Sequence, residues 1–156
     1  MIKISKDSVS LINNQLKKIR TLIKNHEVNP YLVRELRKLL EGQNEYKKFR
    51  FRSSTNSEDL EGFNGAGLYD SKSVLLGDSV KTIEKAIKKV WASVWNERAF
   101  WERSIFNINQ RSVSMAILVH RSFPDEAANG VIISKNIYRK YKGITVNVQT
   151  GENSVV

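Results

Sequence analysis

The residues best suited to chemistry lie between positions 50 and 70. Arg52 closes an alternating apolar and basic run, Tyr46-Lys47-Lys48-Phe49-Arg50-Phe51-Arg52. Small polar residues follow at once, Ser53-Ser54-Thr55-Asn56-Ser57, and then three glycines, Gly62, Gly65 and Gly67. An arginine at a strand end offers a rigid fork of N–H donors that matches phosphate oxygens. Glycines let backbone N–H groups turn toward a ligand and let that ligand come close. Such a run could cradle a phosphate. The same residues could also form a plain turn between two strands, because the run has neither a GKS/GKT ending nor the dinucleotide glycine spacing. Glu58, Asp59 and Glu61 fit solvated loop charges as well as metal ligands.

The elements around this run can be read from periodicity. Alternation over 46–52 predicts a strand that ends at Arg52. Leu68 to Leu76 reads as a second strand, bounded by Gly77-Asp78. Before them, Asp7 can cap a helix whose apolar residues Ile12, Leu16, Ile19 and Ile23 recur at helical spacing, with Lys17, Lys18, Arg20 and Lys24 on a solvated face. Asn29-Pro30 starts a second helix with the stripe Val33, Leu36 and Leu40, and Gly42 ends it. After the glycines, one long helix is expected from Asp78 to about Arg103. Ile83, Ile87, Val90, Val94 and Trp101 share one face of it, and Lys81, Lys85, Lys88 and Lys89 the solvated side. Trp91, Trp95, Phe100 and Trp101 read as core aromatics rather than a base-stacking platform. Strands are expected at 113–119, 131–133 and 144–148, without the regular helices of a βαβ array. The fold class is therefore α+β with a mixed or antiparallel sheet.

Composition narrows the function. The chain has 156 residues, no cysteine, and only His26 and His120 as histidines. Disulfides, thiol catalysis and cysteine-based zinc sites are excluded. No apolar run approaches the ~20 residues of a membrane span. Met1 to Lys6 carries no apolar signal segment, so a cytoplasmic location is expected. The net charge is +10. Residues 1–50 hold 12 basic and 5 acidic side chains, and residues 51–156 hold 14 and 11, so most of the excess lies on the leading helices. That excess would suit a polyanion, which keeps a nucleic-acid-binding module open as an alternative.

Several segments then fall into one pattern. Arg52-Ser53-Ser54-Thr55-Asn56-Ser57-Glu58-Asp59-Leu60 resembles the Arg-Ser-Ser-x-x-x-Glu-Asp-Leu signature of the phosphoenolpyruvate synthase and pyruvate phosphate dikinase family. Gly65-Ala66-Gly67-Leu68-Tyr69-Asp70-Ser71 is similar to the glucan, water dikinase branch and to PEP/pyruvate-binding proteins. Trp91-Ala92-Ser93-Val94-Trp95-Asn96-Glu97-Arg98-Ala99 resembles the family's Trp-Ala-Ser helix, and Ser114 to His120 its Met-Ala-Val-x-Val-Gln strand. Gly130 to Ser134 and Gln149 to Val156 resemble its Gly-Val-Ala-Phe-Thr and Gly-Glu-x-Val-Val segments.

The resemblance implies an ATP-grasp fold and an ATP-binding part of a phosphotransferase. In that family phosphate passes from ATP to a histidine on a separate swivelling domain, and from there to pyruvate or a sugar hydroxyl. Arg52 matches the arginine on the ATP phosphates, and Gly62, Gly65 and Gly67 the loop that closes over them. Val119 to Phe123 match the hinge beside adenine, with Val119, His120 and Arg121 as its candidate nucleotide-binding residues, and Glu152 a nucleotide-contacting glutamate. No catalytic residue is assigned. His120 replaces a glutamine and Ser122 a methionine, and a strand histidine with a satisfied partner is expected at His120. The family's Gly-Gly-Lys element, its magnesium ligands, the swivelling domain and the acceptor domain have no match. The expectation is a helical segment over 1–45 and part of an ATP-grasp domain over 46–156, in a fragment of a larger protein. That parent would use ATP with magnesium, with no membrane and no nucleic acid as partner. A non-catalytic regulatory role is the other alternative.

Overall fold

The computed structural model describes residues 5–124, 126–136 and 141–151. The chain divides into two compact units between Ser122 and Phe123.

The first unit opens with α1, Lys6–Asn25, and α2, Pro30–Glu41. Ser5, not Asp7, caps α1, its hydroxyl accepting from the Ser8 amide at 3.2 Å. Asp7 lies in the first turn instead, where a carboxylate favours the helix dipole. Asn29 caps α2 by accepting from the Tyr31 amide at 2.9 Å, with Pro30 in the first turn and Gly42 at the end, as the sequence predicts. Strand β1, Lys48–Thr55, runs into a short hairpin of β2, Asp59–Leu60, and β3, Phe63–Asn64. β4 covers only Lys72–Leu75, because Leu68 and Tyr69 pack under the hairpin instead of extending the strand. β5, Met115–Arg121, completes a three-stranded antiparallel sheet in the order β4-β1-β5.

The expected long helix is in fact two. α3 spans Ile83–Ala92, a single 3-10 turn spans Ser93–Trp95, and α4 spans Glu97–Ile105. The break frees carbonyls that an unbroken helix would use, and arginines take them. Arg20 of α1 donates to the Trp95 carbonyl at 2.6 Å, and Arg103 of α4 to the Val94 carbonyl at 2.7 Å. Cations at a helix C-terminus are favoured by its dipole as well as by these bonds. Arg20 therefore leaves the solvated face expected for it, and also pairs with Glu97 at 3.3 Å. Lys17, Lys18 and Lys24 remain exposed. Lys88 is also drawn in, its side chain 15% exposed and 2.7 Å from Glu84.

The start of the helix is corrected too. Asp78 caps a turn rather than the helix, accepting from the Val80 and Lys81 amides at 2.6 and 3.0 Å, and Thr82 caps α3. The Lys81 amide and then the Val80 amide hold the Asp78 carboxyl below its ordinary value of 3.8. A carboxylate with a depressed folded pKa stabilises the fold above its unfolded pKa, and that stability is lost as pH falls through the folded value. Asp78→Ala should therefore lower the melting temperature at neutral pH, with the difference vanishing in acid below 3.8. Paired thermal melts across that range check it.

The core lies between one sheet face and α3. Phe49, Phe51 and Val74 meet Ile83, Ala86, Ile87 and Val90, and Val28 and Leu40 close it from the α2 side. Strand alternation sends Phe49 and Phe51 inward, so Arg50 and Arg52 necessarily face the other way. In the second unit, β6, Ala128–Ile133, pairs antiparallel with β7, Thr145–Thr150, near the positions expected. Every pairing described is antiparallel, consistent with the α+β reading. No helix among the described residues is long and apolar enough to cross a membrane.

Candidate functional site

The outer face of the sheet assembles the residues of interest. Cross-strand partners in an antiparallel ladder share a face. Arg50 lies between Ser73 and His120, Arg52 opposite Leu118, and Ser54 opposite Ala116. Arg50 donates to the Ser73 hydroxyl at 3.1 Å. Arg52 is exposed and has no ion-pair or hydrogen-bond partner among the described residues. Along β1 these side chains recur about every 7 Å, so basic and hydroxyl groups form a row that leads toward the glycines.

The glycine stretch is a built structure. Gly62 and Gly67 adopt a φ of +76°, which a residue with a Cβ adopts only under strain. Gly65 is required for close approach. Its amide donates to the Glu58 carbonyl at 2.7 Å, and an added Cβ would stand 3.0 Å from the Ser57 carbonyl and 3.1 Å from Glu58 Cα, both backbone atoms. Asn64 accepts from the Ala66 amide at 2.9 Å and holds the second turn. Asn56 ties the strand end to the approach of β5, donating to the Ser112 carbonyl and accepting from the Ser114 amide.

Under the hairpin Phe63, Leu68 and Tyr69 pack on Ala99 of α4 in a second small core. Arg103 lies beside it, fully buried, and among the described residues no carboxylate pairs with it. Its guanidinium donates to Gln110 at 2.9 Å and to the Tyr69 hydroxyl at 3.1 Å, besides the Val94 carbonyl. Tyr69 is in turn 3.1 Å from the Ser57 hydroxyl, and Ser57 3.1 Å from that of Thr55. The motif around Trp91 to Ala99 and the glycine stretch, far apart in sequence, thus meet.

The three hinge residues do not share one face. His120 lies on the outer face with Arg50, whereas Val119 and Arg121 pair with Phe51 and Phe49 on the inner one. Arg121 sits over the Tyr46 ring at 5.0 Å and donates to its hydroxyl. A cavity of about 410 Å³ is nevertheless lined by all three, Val119, His120 and Arg121, together with Leu36, Tyr46 and Phe49 among others. His120 is half satisfied. A carbonyl can only accept, so His120 Nδ1 carries the proton in its 2.6 Å bond to the Arg121 carbonyl. Nε2 is buried with no partner among the described residues, against the expectation of a fully partnered histidine.

Glu152 lies outside the described residues. Among the described residues no three His, Cys, Asp or Glu side chains converge on a metal-sized site, so they offer no cage for magnesium. Arg50, Ser54 and the Arg103 relay were missed by sequence reasoning. The period of two from Arg52 would have found the first two. The spacing of Arg103 four residues from buried Ala99 would have pointed inward, had the helix been read as broken.

The comparisons with known proteins agree on a family. The model described as the pyruvate phosphate dikinase AMP/ATP-binding domain matches residues 1–156. The chain is 29% identical over 133 residues to a rifampicin phosphotransferase of Streptomyces sviceus, covering 85% of this chain and 15% of that protein. It is 26% identical over 157 residues to the phosphoenolpyruvate synthase of Pyrococcus furiosus, covering 96% and 19%. Over 124 residues it is 29% identical to a rifampicin phosphotransferase of Bacillus subtilis, covering 79% and 14%. It spans less than a fifth of the length of these curated relatives. The chain belongs to the pyruvate phosphate dikinase AMP/ATP-binding domain family.

Proposed function

We propose that the outer face of the first unit holds the phosphates of ATP within an ATP-grasp arrangement. One observation carries this reading: Arg52, exposed and without a partner among the described residues, stands in line with Arg50 and Ser54 on a strand that leads into a glycine hairpin. Phosphoryl transfer requires positioning and charge neutralisation more than covalent chemistry from the protein. Arg52 supplies a fork of donors, Arg50 a second charge, and Gly62, Gly65 and Gly67 a backbone that can cover phosphate closely. Val119, His120 and Arg121 would border the base, and Glu152 would contact the nucleotide. Residues 1–45 serve as a helical support and 46–156 as the nucleotide-binding part.

The parent reaction is read as transfer from ATP, with magnesium, through a histidine on another domain to an acceptor. Two relatives are named as rifampicin phosphotransferases and one as a phosphoenolpyruvate synthase. Pyruvate or a similar acceptor fits the reading, and a glucan hydroxyl remains the acceptor of the branch that residues 65–71 resemble. The setting would be cytoplasmic. Nucleic acid fits less well, because Arg20, Arg37, Lys38 and Lys88 are each engaged by a carboxylate.

Calorimetric titration of the chain with Mg-ATP and with adenosine tests the reading. ATP should bind the more tightly of the two, weakly in absolute terms and without turnover, and the advantage should shrink as salt rises. Equal affinities for ATP and adenosine would refute phosphate recognition on this face.

A further inference from the structure

We propose that Arg103 is a positioning residue for the phosphate-binding hairpin, acting through Tyr69 and Ser57 without touching the ligand. The inference rests on the ATP reading above and deepens it. Arg103 is fully buried, and a desolvated guanidinium without a carboxylate partner is costly unless its donors are used. They are used. Arginine can only donate, so the Tyr69 oxygen accepts at 3.1 Å. The Tyr69 hydroxyl also shares a hydrogen bond with the Ser57 hydroxyl, again at 3.1 Å. The Ser57 hydroxyl in turn shares a hydrogen bond with that of Thr55, which also accepts from the Ser57 amide at 3.2 Å.

The bonded chain therefore runs from Arg103 through Tyr69 and Ser57 to Thr55 at the end of β1, its members polarising one another. Ser57 is only 2% exposed, and its carbonyl is the atom nearest a Cβ at Gly65. Residue 58 accepts the Gly65 amide. The conformation of Ser57 and Glu58 thus sets where Gly65 stands. A buried cation fixes a loop whose own glycines give it little stiffness.

The test uses Tyr69→Phe, which removes the relay oxygen and keeps the ring against Phe63 and Leu68. Dissociation constants for ATP and adenosine are measured by NMR titration of the full chain. The affinity for ATP relative to adenosine should fall about 5- to 10-fold in the variant, the loss expected for one hydrogen-bonded link, while adenosine affinity stays unchanged. Ser57→Ala cuts the next link and should give the same fall, so it decides the matter if Tyr69→Phe fails to fold. Exchange of the Gly65 amide should speed up in both variants. A merely structural relay would lower the melting temperature and leave the ATP-to-adenosine ratio where it was, and that result overturns the inference while leaving the ATP reading standing. A wild-type chain that binds ATP no better than adenosine removes both.

Discussion

Arg52→Ala should weaken ATP binding about 10- to 150-fold and leave stability within about 0.5 kcal/mol of wild type. The first figure follows from losing a charge-assisted contact, about 1.5–3 kcal/mol. The second follows from geometry, because Arg52 is exposed and bonds to nothing among the described residues, so its removal leaves no orphaned partner. Calorimetry with ATP and chemical denaturation of the same protein check the two halves together. Arg52→Lys should recover only part of the affinity, since an ammonium keeps the charge and loses the fork. Unchanged ATP affinity in Arg52→Ala would place the phosphates elsewhere.

Arg103→Ala should act mainly on stability, with a loss of about 3–5 kcal/mol from the cavity and the stranded acceptors, in addition to the fall in ATP selectivity expected of the relay. The substitution opens a cavity in a fully buried place and strands three acceptors, the Val94 carbonyl, Gln110 and the Tyr69 hydroxyl. The Val94 carbonyl matters most. It is freed where α3 gives way to the 3-10 turn, and water cannot replace the arginine without entering the core. Arg103→Lys should recover only a minor share, because one ammonium cannot reach three acceptors laid out for a planar fork. Denaturant midpoints measure the loss, and a change below about 1 kcal/mol would show that the buried guanidinium is dispensable.

The contrast between these two arginines shows what was legible in the chain. Arg52 could be placed from its neighbours, since strand alternation with Phe49 and Phe51 buried leaves Arg52 no other face. Asn29-Pro30 and Gly42 likewise announced α2, because capping depends on residues adjacent in sequence. Arg103 could not be read the same way. Val90 and Val94 are both buried, so the apolar period runs smoothly across the point where the helix breaks. The break depends on Arg20, 75 residues away, meeting the Trp95 carbonyl. Leu68 and Tyr69 were read as strand for a similar reason: their apolar character suits β structure, but their partners are Phe63 and α4.

By itself, then, the sequence determined the family, the α+β class with the sheet left mixed or antiparallel, the two leading helices and the arginine–glycine run, all of which rest on local spacing and order. Tertiary structure alone decided that His120 shares a face with Arg50 while Val119 and Arg121 do not, because that follows from the register of β1 against β5. It alone turned Arg20 from a surface charge, and Arg103 from the expected end of a long helix, into caps of a broken one, and joined the motif on α4 to the hairpin. The physical reason is that a buried polar group is defined by its partner, and these partners come together only when the chain folds.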